Sequence, residues 1–155
     1  MRKRSKKTRA KKSGFETLRQ VVARLRSIGG CPWDREQTHL SLIRYLREEA
    51  RELEQALRRG RAHEIEDELG DMLLQVFLHA RIAEEAGRFD VQDVARAQAL
   101  KLIRRHPHVF SDAHYKTAED VLQSWKTIKA EERRLRARDV ARLRRQKLGH
   151  KSRNP

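Results

Sequence analysis

The stretch IRYLREEARELEQALRRGRAHEIEDELGDMLLQVFLHARIA, residues 43–83, holds two apolar runs at helical spacing on either side of a glycine. Ile43, Leu46, Ala50, Leu53 and Leu57 recur mainly at three- and four-residue steps, which lines them along one face of a helix of about 20 residues. Gly60 ends that helix. A second run begins near His63, where Ile65, Leu69, Met72, Leu73, Val76, Phe77, Ala80 and Ala83 form a stripe broad enough to mark the most buried element of the fold.

Acidic residues are set into the same two runs. The first carries Glu48, Glu49 and Glu52 in REEARE (47–52), and the second carries Glu68 and Asp71 in EDELGD (66–71). A spacing of i, i+3 sets each pair, Glu49 with Glu52 and Glu68 with Asp71, about one turn apart on one side of its helix. At about 100° per residue, Glu49 and Glu68 flank the apolar stripes rather than oppose them, so both line the groove where two helices meet. Four carboxylates converging there repel one another, and a divalent cation relieves the repulsion. Oxygen-only ligands favour a hard ion, magnesium or manganese, which commonly shares its shell with phosphate oxygens. Glu48, one residue off the pair, is a candidate catalytic group to orient or deprotonate a water. On their own, such acids are more often a solvated face paired to nearby arginines than a metal site.

Outward from this core, Phe15, Leu18, Val21, Val22, Leu25 and Ile28 spell an earlier amphipathic helix that Gly29-Gly30 terminates. The segment GCPWDREQTH (30–39) reads as a loop, with Trp33 as a lid or core anchor and Asp34 capping the start of the next helix. Asp90 can cap a fourth helix that runs to about Arg105, and Pro107 stops it. Thr117 with Asp120 resembles a capping box that opens a fifth, containing Val121, Leu122, Trp125 and Ile128. With no sustained period-two run, the expected fold is an all-α bundle of four to five helices.

The chain has 155 residues, of which 37% are apolar and 38% charged, so one domain with polar extensions is the natural division. Of the net +15, residues 1–12 carry +8 and residues 126–155 carry +9, which leaves −2 on the residues between. The expected organisation is a disordered basic tail over 1–12, a helical domain over 13–132 and a basic extension over 133–155 that is partly helical. The tails could give non-specific contact with nucleic acid, and a nucleic-acid-associated helical protein is the alternative reading. A single cysteine, Cys31, excludes an internal disulfide and a thiolate zinc site, and the absence of an apolar run near 20 residues predicts no membrane span. The expected setting is the cytoplasm. Cys31 reads as packing rather than as a nucleophile, and His106-Pro107-His108 reads as a rigid turn rather than a metal site.

The ordered segments GCPWDREQTH (30–39), REEARE (47–52), DELGDMLLQV (67–76), GRF (87–89), KLIRRHPHVF (101–110) and W-x-x-I-K-x-x-E (125–132) resemble the MazG-type nucleoside triphosphate pyrophosphohydrolases, an all-α group, in single-domain form. The resemblance implies that Glu49, Glu52, Glu68 and Asp71 hold magnesium. It implies hydrolysis of the α–β phosphoanhydride of a nucleoside triphosphate to the monophosphate and pyrophosphate. It also implies nucleotide contacts at Lys101, Arg105, Trp125 and Lys129, as suits cationic forks for phosphate and an indole face for a base. Trp125 equally fits a core role, since it shares its face with Val121, Leu122 and Ile128. Family members associate through the two acidic helices, so a homodimer or a dimer of dimers is expected.

Overall fold

A computed structural model describes residues 13–151, with side chains through residue 138. The basic tail expected over 1–12 and the last residues of the extension, 152–155, lie outside the described residues. The chain divides into two compact units, with the division between Ala95 and Arg96.

The first unit opens with α1 (Gly14–Leu25), capped by the Ser13 hydroxyl, which accepts from the Glu16 amide at 3.2 Å. The helix stops three residues short of Ile28, the expected end of its apolar pattern, and Ile28 is 90% exposed. The chain instead doubles back, so that the Cys31 amide donates to the Leu25 carbonyl at 2.8 Å. Both glycines are needed for this turn. Gly29 has φ +73°, and a Cβ on Gly30 would collide with the carbonyls of Leu25 and Arg24.

The segment expected as a loop contains a one-turn helix, α2 (Pro32–Glu36), with proline in its first turn. Asp34 is not the cap it was expected to be. It is buried inside α2, and its carbonyl, together with that of Gln37, accepts from the Arg26 guanidinium. The next helix is prepared by Thr38 and Ser41 instead, whose hydroxyls each accept from the other's backbone N–H, at 3.1 and 2.9 Å. Trp33 is 46% exposed and meets Tyr45 edge-on at 5.4 Å, so it is not a core anchor.

The two acidic helices are α3 (Ile43–Arg59), ended by Gly60 at φ +73°, and α4 (Ala62–Glu85), followed by Gly87 at φ +63°. They pack on each other, and α1 packs on α4. The core is Val22, Leu42, Phe77 and Leu78, with Leu18, Tyr45, Leu73, Leu74, Ile82 and Val91 against it. As expected, α4 has the most buried residues of the described helices. Its stripe is nonetheless only partly covered, since Leu69 and Val76 are 52% and 42% exposed.

A fourth long helix, α5 (Val91–Arg105), begins with Asp90 and Asp93 accepting from each other's amides at 2.8 and 3.2 Å. In the second unit, Pro107 does more than stop α5; it starts the short α6 (Pro107–Phe110). Thr117 and Asp120 form the expected capping box for α7 (Ala118–Lys151), with reciprocal bonds of 3.1 and 3.0 Å. The described residues thus hold five long helices and two short ones, and no strand.

Candidate metal centre and nucleotide-contact residues

Packing α3 against α4 brings together one carboxylate oxygen from each of Glu49, Glu68 and Asp71, all within 4.8 Å of one another. Glu49 and Glu68 are half-buried and Asp71 is exposed, so the cluster sits at the mouth of the inter-helix groove. Of the four acids expected to converge, Glu52 is outside this trio. It lines the adjoining groove with Glu64, Asp67 and Glu68, where Arg59 and His63 also stand. Its charge still reaches the cluster, because after desolvation it is the largest cause of the upward shift at Glu68. Glu48 is exposed and is not one of the three, although its charge also acts on Glu49.

Both half-buried carboxyls are pushed above their ordinary range. For Glu49 the largest cause is desolvation, followed by Asp71 and Glu52; for Glu68 it is desolvation, followed by Glu52 and Asp71. No cation is among the main causes at either site. The buried oxygen Oε2 of Glu68 accepts no hydrogen bond. A buried acceptor without a donor, held among like charges, is costly, and an oxygen-preferring divalent cation would satisfy it. The donor set fits magnesium or manganese, and it holds no nitrogen or sulfur that would favour zinc. Among the described residues these three are the one group of potential ligands close enough to share an ion.

The expected nucleotide contacts Lys101, Arg105, Trp125 and Lys129 belong to the second unit. Lys129 Nζ stands 5.4 Å from the centroid of the Trp125 ring, and His106 meets that ring edge-on at 4.9 Å. Trp125 is half-buried with its indole N–H unpartnered, and Lys101 is half-buried too. Arg105 donates to Glu132 at 2.7 Å. His106 Nδ1 lies 2.7 Å from the Leu102 carbonyl and so carries the proton, which fits the rigid-turn reading of the His-Pro-His segment. Cys31 is half-buried at the start of α2, in keeping with a packing role.

Three side-chain groupings escaped the sequence reading. Glu132 was only the last letter of a motif, yet it binds both Arg104 and Arg105. Arg26 and Glu85, 59 residues apart, form an ion pair at 2.8 Å. His39 and His79 stack with parallel rings, Nδ1 to Nδ1 at 2.9 Å, and Arg88 reaches the far nitrogen of His39 at 3.1 Å. No periodicity signals pairs this far apart in sequence.

Residues 37–110 match the MazG nucleotide pyrophosphohydrolase domain. The chain is 48% identical over 122 residues to the nucleoside triphosphate pyrophosphohydrolase/pyrophosphatase MazG of Thermotoga maritima, covering 77% of this chain and 45% of that protein. It is 42% identical over 128 residues to the nucleoside triphosphate pyrophosphohydrolase of Escherichia coli K12, covering 82% and 49%. An uncharacterized Bacillus subtilis protein, YabN, is 45% identical over 119 residues, covering 77% of this chain and 24% of that one. The chain therefore spans between a quarter and a half of the length of these relatives. The crystal structure of a mazG-related protein from Thermotoga maritima superposes with a TM-score of 0.61 at 26% identity, over 74% of this chain and 98% of that one.

Proposed function

The chain belongs to the MazG nucleotide pyrophosphohydrolase family through residues 37–110, and from that premise we propose that it hydrolyses nucleoside triphosphates to the monophosphate and pyrophosphate with magnesium held by Glu49, Glu68, Asp71 and, at the rim, Glu52. The observation that carries this reading is the trio of carboxylates on facing helices, with Glu68 Oε2 buried and unpartnered among like charges. Magnesium, when bound, supplies charge neutralisation for the phosphates and acidifies a water.

The reaction adds water oxygen to the α-phosphorus, breaks its bond to the bridging oxygen of the β-phosphate and releases pyrophosphate. Glu49, Glu68 and Asp71 contribute negative charge that repels a metal-free nucleotide, so the triphosphate needs the cation either already in the site or brought in with it. Glu48, exposed on α3 beside Glu49, is assigned to accept the proton of the attacking water. Lys101, Arg105 and Lys129 are assigned to phosphate oxygens, and Trp125 to the base. The names of the Thermotoga and Escherichia relatives support the substrate class. The working form is assigned as a homodimer.

Pyrophosphate release from a panel of nucleoside triphosphates, with and without magnesium, tests this. Glu49→Gln and Asp71→Asn should each lower turnover by roughly a hundredfold or more, since charge stabilisation by a metal is worth several kcal/mol. A folded wild-type protein that releases no pyrophosphate from any triphosphate would sink the proposal.

A further inference from the structure

The carboxylate of Glu132, in α7, is shared between two adjacent arginines at the end of α5. Its Oε2 accepts from Arg105 Nη2 at 2.7 Å, while Oε1 accepts from Arg104 Nε at 2.8 Å and pairs with Arg104 Nη2 at 2.6 Å. The Glu132 side chain is 11% exposed, against 22% for Arg105 and 52% for Arg104, so the carboxylate lies beneath the two cations. Two neighbouring guanidinium groups repel each other and would splay into solvent, and one carboxylate oxygen for each holds them side by side.

The cluster keeps a net charge of +1 after this pairing. Arg105 commits one of its N–H groups to Glu132, and its Nε is buried without a partner. Arg104 and Glu132 also line an open groove of about 520 Å³ with Ile128, Glu131, Leu135 and Arg136, and Arg105 stands outside that lining. One carboxylate shared by two guanidinium groups leaves a positive charge and guanidinium N–H groups to spare, which suits an anion better than it suits a closed structural ion pair.

We propose that Glu132 is a positioning residue for phosphate recognition, pinning the Arg105 guanidinium in the orientation that meets a nucleotide phosphate; the inference rests on the hydrolase reading above. The two arginines hold the Glu132 carboxyl down to about 2, so the clamp stays charged throughout the neutral range and pH does not switch it.

The test is a double-mutant cycle on the full chain with Glu132→Gln, Arg105→Ala and both together. It reads calorimetric binding of an α,β-methylene nucleoside triphosphate with magnesium, KM and kcat for the hydrolysable nucleotide, and melting temperature. Glu132→Gln should weaken analogue binding and raise KM by roughly tenfold, the worth of one charge-assisted hydrogen bond, with kcat nearly unchanged. The melting temperature should fall with the loss of the ion pairs, and binding and kinetics are read below it, where the variant is folded. In the Arg105→Ala background it should add nothing. Unchanged or tighter binding by Glu132→Gln would mean that the carboxylate is inert or competes with phosphate, and either overturns the proposal. So would penalties that simply add. If Glu132→Gln does not fold, Glu132→Asp keeps the charge but is too short to span both arginines, and it is read in the same way. A wild type that binds the analogue without hydrolysing any triphosphate sinks the hydrolase reading and leaves the cycle to decide on Glu132. One that does neither overturns both.

Discussion

With the proposed cation bound, Glu68 would meet the opposite electrostatic demand from the one it meets without it. Desolvation, then Glu52 and Asp71, raise its carboxyl above the ordinary value, so the folded state favours the protonated form. The stability tied to that proton is fully present below the unfolded value and is lost as pH rises through the raised one. Metal-free Glu68→Gln should therefore melt close to the wild type in mild acid and above it at neutral pH, with the gap opening as pH increases. Magnesium should reverse the order at neutral pH by stabilising the wild type more. Melting curves across pH, with chelator or with magnesium, read both effects; a variant less stable than the wild type in chelator at neutral pH would contradict the repulsion. At this scale the sequence disclosed which acids could face one another, because i, i+3 spacing is local. It could not rank them. Whether Glu52 joins the trio or lines the neighbouring groove depends on how α3 turns against α4, which helical periodicity leaves free. The His39–His79 stack, joined by Arg88, was hidden for the same reason.

The elements themselves were legible wherever their ends are chemically marked. Gly60 and Gly87 adopt positive φ after α3 and α4, and Thr117 with Asp120 forms its box before α7, because these signals act within a few residues. The segment after α1 misled because its geometry is imposed from a distance. Arg26, with a side chain only 6% exposed, donates to the carbonyls of Asp34 and Gln37 and pairs with Glu85 at the end of α4. One guanidinium thus fastens α1, the α2 segment and α4, which explains why α1 stops early and why Asp34 is buried rather than capping. Removing the carboxylate strands a buried cation. Glu85→Gln should cost about 2 kcal/mol in urea unfolding at neutral pH. Arg26 is the first cause holding the Glu85 carboxyl below its ordinary value, so the contribution is present above the unfolded value and lost as pH falls through the depressed one. The difference between wild type and variant should shrink in acid, and a difference that persists unchanged there would assign the cost to packing instead.

For the whole molecule, charge and apolar surface point in different directions. The described helices include none long and apolar enough to cross a membrane. The large positive total comes from the ends of the chain, while residues 13–125, which hold the acidic site, stay slightly negative. The all-α architecture was readable from periodicity, but the extent of burial was not, because a stripe on a helix does not say what covers it. In the first unit, Leu57, Leu69 and Val76 are 57%, 52% and 42% exposed on the two helices that also carry the acids. Leu69 and Val76 stand seven residues apart, close to two turns, so they share a face of α4. Apolar side chains left open on paired helices are better covered by a second copy than by water, and a two-fold dimer covers the same patch on both copies at once. Light scattering should then give about twice the 18.3 kDa of one chain, and Val76→Glu should shift the population toward monomer by placing a charge in the covered face. Because Val76 is 42% exposed in the single chain, that variant should keep its helical content. A wild type that scatters as an 18.3 kDa species at every concentration would leave the exposed stripe without this explanation.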